Sequence, residues 1–261
     1  AYWMSENGFF RYAGKLESLP CLVEDFVFDS INLTSGNQMV SAGLNNLFGE
    51  VIWFYPETGS SVVNRMVAYN YFDSSPQRPV WTVGSLARTM WRDSAVFGLP
   101  HALEYDADTD TSFDVVGNTE GRTSYYEHET GTDQNRNGTI TAIAANILSG
   151  DFDITQRIVG NQMTGIADFK GDGEHIMKIR RFVPDFISQT GNTVVTLNLR
   201  NFPNDTASSS SLGPFTITSS TSKVDTRARA RAIALKVENT GSSQSWKLGT
   251  FRLDTQPDGR R

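Results

Sequence analysis

The sequence predicts an all-β chain. A propeller-like β-meander is expected over residues 1–103. A β-hairpin region over 104–170 can continue it, and a β-sandwich-like or platform region follows over 171–261. Three observations predict this. Apolar residues recur at every second position through most of the chain, which is the period of a strand. Gly, Asn, Asp and Pro interrupt these runs at short spacing. Aromatic residues make up 11% of the chain and include the adjacent Trp53, Phe54 and Tyr55. Neighbours on a strand point to opposite faces, so both faces of that strand must be covered, as in stacked sheets.

Tyr2–Ser5 and Phe9–Tyr12 flank Glu6-Asn7-Gly8. Asn-Gly between aromatic runs predicts a hairpin with a type I′ turn, because that turn needs positive φ at both central residues. The best helical candidate is Leu22–Ile31, where Leu22, Val23, Phe26, Val27 and Ile31 share a face and Pro20 precedes the start. Glu50–Tyr55 is a strand ended by Pro56 and the turn Glu57-Thr58-Gly59. Arg65–Tyr71 and Val80–Gly84 are the next two, joined by the Pro-containing connection Ser74–Pro79. Together they have the size of one four-stranded propeller blade, roughly 40 residues. The Trp3 hairpin belongs to another blade, and Ala87–Trp91 opens a further one. No Trp-Asp dipeptide or kelch-type Gly-Gly pair is present, so the blades are not numbered by the sequence; two and a half do not close a ring. Ser124–Glu129 is a strand, Gly131–Gly138 a turn and Thr139–Ile143 the return strand. Beyond Gly171 the strands are Ile176–Phe182, Thr193–Leu199, Phe215–Thr218, Thr226–Val237 and Ser245–Leu253, with Asn204–Gly213 as a surface loop.

At 261 residues and 38% apolar content the chain can bury a substantial core. No apolar run approaches the ~20 residues that span a bilayer, so no membrane anchor is expected. No basic segment leads into an apolar one at the start. The first residues already read as a strand pair, and an N-terminal part is expected to be missing. The single cysteine, Cys21, excludes an internal disulfide framework and a Cys-cluster metal site; it reads as a small buried apolar side chain. A net charge of −6 and a pI near 5.1 argue against a general nucleic-acid-coating surface and leave room for a local basic patch.

Few constellations suggest chemistry. Asp133-Gln134-Asn135-Arg136-Asn137-Gly138 matches the first half of a calcium loop, but the twelfth position is Ala144 where a bidentate Glu belongs. An Asn-Gly hairpin turn explains the same residues. Asp106, Asp108 and Asp110 read as a solvated turn. His101, His128 and His175 are far apart, and Thr132 stands where a second zinc-binding histidine would follow His128-Glu129. Glu127 and Glu129 are expected on one strand face, about 6.5–7 Å apart. That spacing suits an inverting glycosidase pair and equally an ordinary exposed acidic face. No Gly-x-Ser-x-Gly elbow or phosphate-binding P-loop occurs, and Cys21 would need a histidine beside it to act as a nucleophile. No catalytic residue, metal site or cofactor is assigned.

The most unusual stretch is Lys223–Val237. Read as one strand, it lines Arg227, Arg229 and Arg231 along one face and Ala228, Ala230, Ala232 and Ala234 along the other. Like charges at alternate positions repel, so the arginines imply an anionic counterpart. That counterpart is local aspartates or glutamates, a neighbouring subunit, or nucleic-acid phosphate.

Several stretches together resemble a family. They are Gly49–Pro56, Asn64–Tyr71, Trp81–Trp91, Tyr126–Gly131, Arg227–Arg231, Trp246–Asp254 and Pro257–Arg261. They resemble the tail hub or nozzle proteins of short-tailed bacteriophages, the packaged-DNA-stabilisation and tail-tubular type, nearly end to end. The resemblance implies a non-enzymatic virion component in the phage tail. It implies a homo-oligomeric, usually sixfold ring around a channel for genomic DNA, contacts with the adaptor and with fibres or a spike, and a role in DNA retention and ejection. It brings no catalytic residues or cofactor. Such proteins are usually longer, which again suggests a fragment. The alternative from the residues is a carbohydrate-binding or glycan-hydrolysing propeller used in host recognition.

Overall fold

The computed structural model describes residues 1–32, 34, 39–94, 97–106, 122–136, 138–155, 157–160, 167–170, 173–202, 205 and 210–259. The chain is nearly all β, and every strand pair whose register is described runs antiparallel. It divides into two compact units: residues 1–130 with 160–167, and residues 131–159 with 168–261.

The first unit is built from three consecutive meanders. The first contains β1 (Tyr2–Ser5), β2 (Gly8–Tyr12) and β3 (Leu16–Ser18). After helix α1 (Glu24–Phe28) comes a four-stranded sheet of β4 (Ser41–Asn45), β5 (Glu50–Tyr55), β6 (Arg65–Ser75) and β7 (Arg78–Gly84), in chain order. The third contains β8 (Met90–Arg92), β9 (His101–Asp106) and β10 (Arg122–Glu127). Adjacent aromatics cover both faces of the middle sheet. Trp53 and Tyr55 pack with Val51, Tyr69 and Phe9 on one side; Ile52, Phe54 and Ala68 pack with Trp91 on the other. Phe9 lies 5.0 Å from Trp53 and 4.7 Å from Trp81 between ring centroids, and Phe54 lies 5.7 Å from Trp91. Trp53, Phe54 and Tyr55 are each at most 1% exposed, worth roughly 1.5–3 kcal/mol apiece in apolar burial. The expected meander is therefore present, as three face-packed sheets.

Several local expectations change. In the first hairpin Ser5 pairs with Gly8, so the central turn residues are Glu6 and Asn7, and neither has positive φ. Gly8 is itself a strand residue, with φ of 144°. The helix is shorter than the apolar spacing suggests. Val27 and Ile31 are buried and Val23 and Phe28 pack beside them, while Leu22 and Phe26 are exposed, so the buried stripe is i, i+4, i+8. Pro76 and Gln77 alone separate β6 from β7, since Ser75 pairs with Arg78.

The second unit begins with the hairpin β11 (Asp133–Arg136) and β12 (Thr139–Ala142). β13 (Ala145–Leu148) follows; β14 (Arg157–Gly160) and β15 (Ala167–Lys170) pair with each other. The remaining strands are β16 (Met177–Val183), β17 (Phe186–Thr190), β18 (Thr193–Arg200), β19 (Ser211–Ile217), β20 (Val224–Ala230), β21 (Ala232–Asn239), β22 (Ser245–Leu248) and β23 (Arg252–Pro257). Sheets β13-β21-β18-β19 and β20-β16-β23 share one core, and β17 pairs with β22. That core holds Met177, Ile179 and Phe182 from β16 with Val195, Leu197, Ile217, Ile233 and Val237 from the other sheet, which is the arrangement of a β-sandwich.

Thr226–Val237 is two strands in different sheets, not one. Along β20 the even positions Ala228 and Ala230 face the core; along β21 the odd positions Ile233 and Val237 do. Arg231, between them, belongs to neither strand. A single extra residue shifts the two-residue period by one and exchanges the faces, which lets the chain cross from one sheet to the other. Ser245–Leu253 likewise splits into β22 and β23.

Candidate functional site

The three arginines singled out by the sequence have three different environments. Arg229 is exposed and lies 2.5 Å from the Asp258 carboxylate. Arg231 donates to the backbone carbonyls of Gly173 and Glu174 at 3.1 and 2.7 Å, so it holds the corner it creates. Arg227 is exposed on β20. The small Ala228 and Ala230 on the opposite face sit in the sandwich core, 1% and 0% exposed.

A buried polar cluster around Arg88 was not legible in the sequence. Arg88, between β7 and β8, is only 4% exposed. Its Nη1 donates to Glu104 on β9 at 2.7 Å, and its Nε donates to Nε2 of His128 at 2.9 Å. The guanidinium lies 4.1 Å above the Tyr126 ring, and the His128 ring lies 4.6 Å from Trp91. A guanidinium can only donate, so Nε2 must be the unprotonated nitrogen and the imidazole is neutral. Desolvation first, then the Arg88 charge and His101, lower the His128 pKa to about 4. Arg88 thus ties the end of the third sheet together through a neutral histidine. Its partners lie 16 and 40 residues away in sequence, and no spacing rule links them.

A second polar group lies at the β4–β5 turn. Asn45, 2% exposed, donates through Nδ2 to Glu129 at 2.9 Å and sits opposite Glu50 in the strand register. Burial, then the charge of Glu129, raises the Glu50 pKa.

Glu127 and Glu129 do not form the expected pair. β10 ends at Glu127, and Glu129 has φ of 62°, a left-handed conformation that takes it off the strand face. The calcium-loop residues are also otherwise engaged. Asp133–Arg136 is a strand, Asp133 accepts from the Ser243 backbone N–H and hydroxyl, and Asn135 accepts from Gly138 N–H at 2.9 Å. Asn137, Asp108 and Asp110 lie outside the described residues. Among the described residues no three His, Cys, Asp or Glu side chains group as metal ligands, and no helix is long and apolar enough to cross a membrane. Burial pushes the Cys21 thiol pKa up to about 12, so it stays protonated at neutral pH and is a poor nucleophile. A pocket of about 470 Å³ opens beside Met39, Val40, Ser41, Val62, Val63 and Tyr105; among the described residues no carboxylate, histidine or lysine lines it.

Comparison with known proteins yields no matching family model and no matching curated protein.

Proposed function

We propose that this chain is a structural component of a tailed-bacteriophage virion: part of a tail hub or nozzle that forms a homo-oligomeric ring around the DNA channel. One observation carries the reading, beside the sequence resemblance. In the first unit the outer two sheets pack on opposite faces of the middle one. The central strand β5 of the middle sheet is buried on both faces, while the described residues of the two outer sheets still present large apolar groups. Trp3, Tyr12 and Leu16 are 37–58% exposed on the first sheet, and Met90 and Tyr125 are 55% and 64% exposed on the third. Face-packed sheets with apolar ends suit a wall that further sheets continue. The buried Arg88 is engaged with Glu104 and His128, which suits support better than turnover. In this reading the partners are copies of the chain, the adaptor, fibres or a spike, and genomic DNA, and the protein resides in the virion tail.

The test is direct. Tagged protein should co-purify with tailed particles, and electron microscopy should place it in a ring at the tail. A strictly monomeric protein that never joins a particle would overturn the reading.

A further inference from the structure

Charge is divided unequally between the two units. The first carries 7 Lys and Arg against 17 Asp and Glu; the second carries 16 against 12. The formal charges are therefore −10 and +4 within the overall −6.

In the second unit much of the positive charge lies on one sheet face. The solvent side of β20-β16-β23 carries Arg227, Arg229, Lys178, Arg180, Arg181 and Arg252 against Asp225, Asp254 and Asp258. Register sets Lys178 opposite Arg229, and Arg181 opposite both Asp225 and Asp254. A bulge concentrates the charge. Ile179 and Phe182 are both fully buried, so the two residues between them, Arg180 and Arg181, both fall on the solvent side. The aspartates serve only part of the face: Arg181 lies 3.5 Å from Asp225 and 3.6 Å from Asp254, and Arg229 lies 2.5 Å from Asp258. Lys178, Arg180, Arg227 and Arg252 have no acidic partner among the described residues. Such a face repels itself and becomes favourable when an anionic surface covers it.

The first unit offers that surface at α1. Asp25 and Asp29 are exposed one helical turn apart, Glu24 adjoins them, and no basic residue follows in the last turn. Exposed Leu22 and Phe26 lie among these acids, where arginine stems and guanidinium planes can cover them.

We propose that the basic face of β20-β16-β23 in one copy docks on the acidic α1 ridge of a second copy. The proposal rests on the ring reading above and assigns its seam. A protein partner fits better than nucleic acid. The face has no aromatic side chain on which a base would stack, and a chain of net charge −6 is repelled by a polyanion at long range. Guanidinium groups at two-residue spacing instead suit carboxylates on a rigid helix. Because the two surfaces differ, the contact is head-to-tail and generates a ring or an open array.

Sedimentation velocity of the full chain at 50 and 500 mM NaCl, over a range of concentrations, tests this. The wild type should assemble in a concentration-dependent way at low salt, with at least tenfold weaker association at high salt. The variants R227E/R252E and D25K/D29K should each stay monomeric, and an equimolar mixture of the two should reassemble because both contacts are complementary again. If reversal disturbs folding, as judged by thermal melting, R227Q/R252Q replaces the first variant in the single-variant comparison only, where it should likewise stay monomeric, and the mixing arm is left to the charge-reversed pair. Assembly that persists in the single variants, or a mixture that stays monomeric, overturns the seam while leaving the ring reading intact. A wild type that is monomeric throughout and absent from particles removes both. Retention of a DNA duplex that depends on Arg227 and Arg252, with self-association unchanged, overturns the proposal in favour of nucleic acid.

Discussion

Acid should loosen the Arg88–His128 contact before it unfolds most of the molecule. In the native state His128 is neutral because its Nε2 accepts from Arg88, and its pKa lies at about 4 against an ordinary 6.5. Between those values the unfolded chain binds a proton that the folded chain refuses. Stability therefore rises with pH across this window and is fully present above pH 6.5. At about 1.4 kcal/mol per decade, the full gap corresponds to about 3 kcal/mol as an upper bound. The ring is only partly buried, so solvent reduces this. Moving from pH 7.5 to pH 5 should then cost about 1–2 kcal/mol through this group alone. The assay is urea unfolding at both pH values for the wild type and His128→Gln, whose amide oxygen can still accept from Arg88. Carboxylates, including Glu50, titrate in both proteins and cancel in the difference. The wild type should lose about 1–2 kcal/mol more than the variant. Equal losses would refute the reasoning, because they would mean that His128 titrates in the folded state as it does in the unfolded chain.

Other expectations follow from packing and pairing. A Cβ at Gly43 would overlap the Trp91 indole, so Gly43→Ala should lower stability by about 1–3 kcal/mol, read as a fall in Tm; an unchanged Tm would show that the indole moves freely. Phe182→Ala, at a site with 0% exposure between Phe215 and Phe251, should cost about 3–5 kcal/mol in denaturant unfolding. Arg231→Ala frees two backbone carbonyls at the corner and should cost about 1–2 kcal/mol, whereas Arg227→Ala should change stability by less than about 0.5 kcal/mol. Cys21, held protonated by burial, should react with a thiol reagent at pH 7.5 only after urea unfolds the protein; rapid labelling of the native state would contradict its environment.

Much of the strand content is legible because strands announce themselves locally. Glu50–Tyr55 is a strand with the bounds its apolar run suggests, and two adjacent aromatics are enough to require layers on both sides. Turns were less legible. Asn7-Gly8 has the composition of a type I′ turn, yet β2 begins at Gly8 and the turn moves one residue back. The pairing of β1 with β2 set that register, and register depends on which faces are buried, a tertiary quantity.

Arg227–Arg231 shows the same division. Alternation of arginine and alanine by itself fixed that one face would be charged and the other small. It did not reveal that Arg231 would become a corner, because a one-residue shift costs nothing locally and is decided by the two sheets that the chain must join. The Arg88–Glu104–His128 cluster lay wholly beyond sequence reading. Its members come from separate stretches, and a buried guanidinium is tolerated only where folding brings it a carboxylate and a neutral imidazole together. Local periodicity determined the all-β class and the double-sided middle sheet; tertiary structure decided the registers, the corner and the buried polar contacts, because those depend on partners distant in the chain.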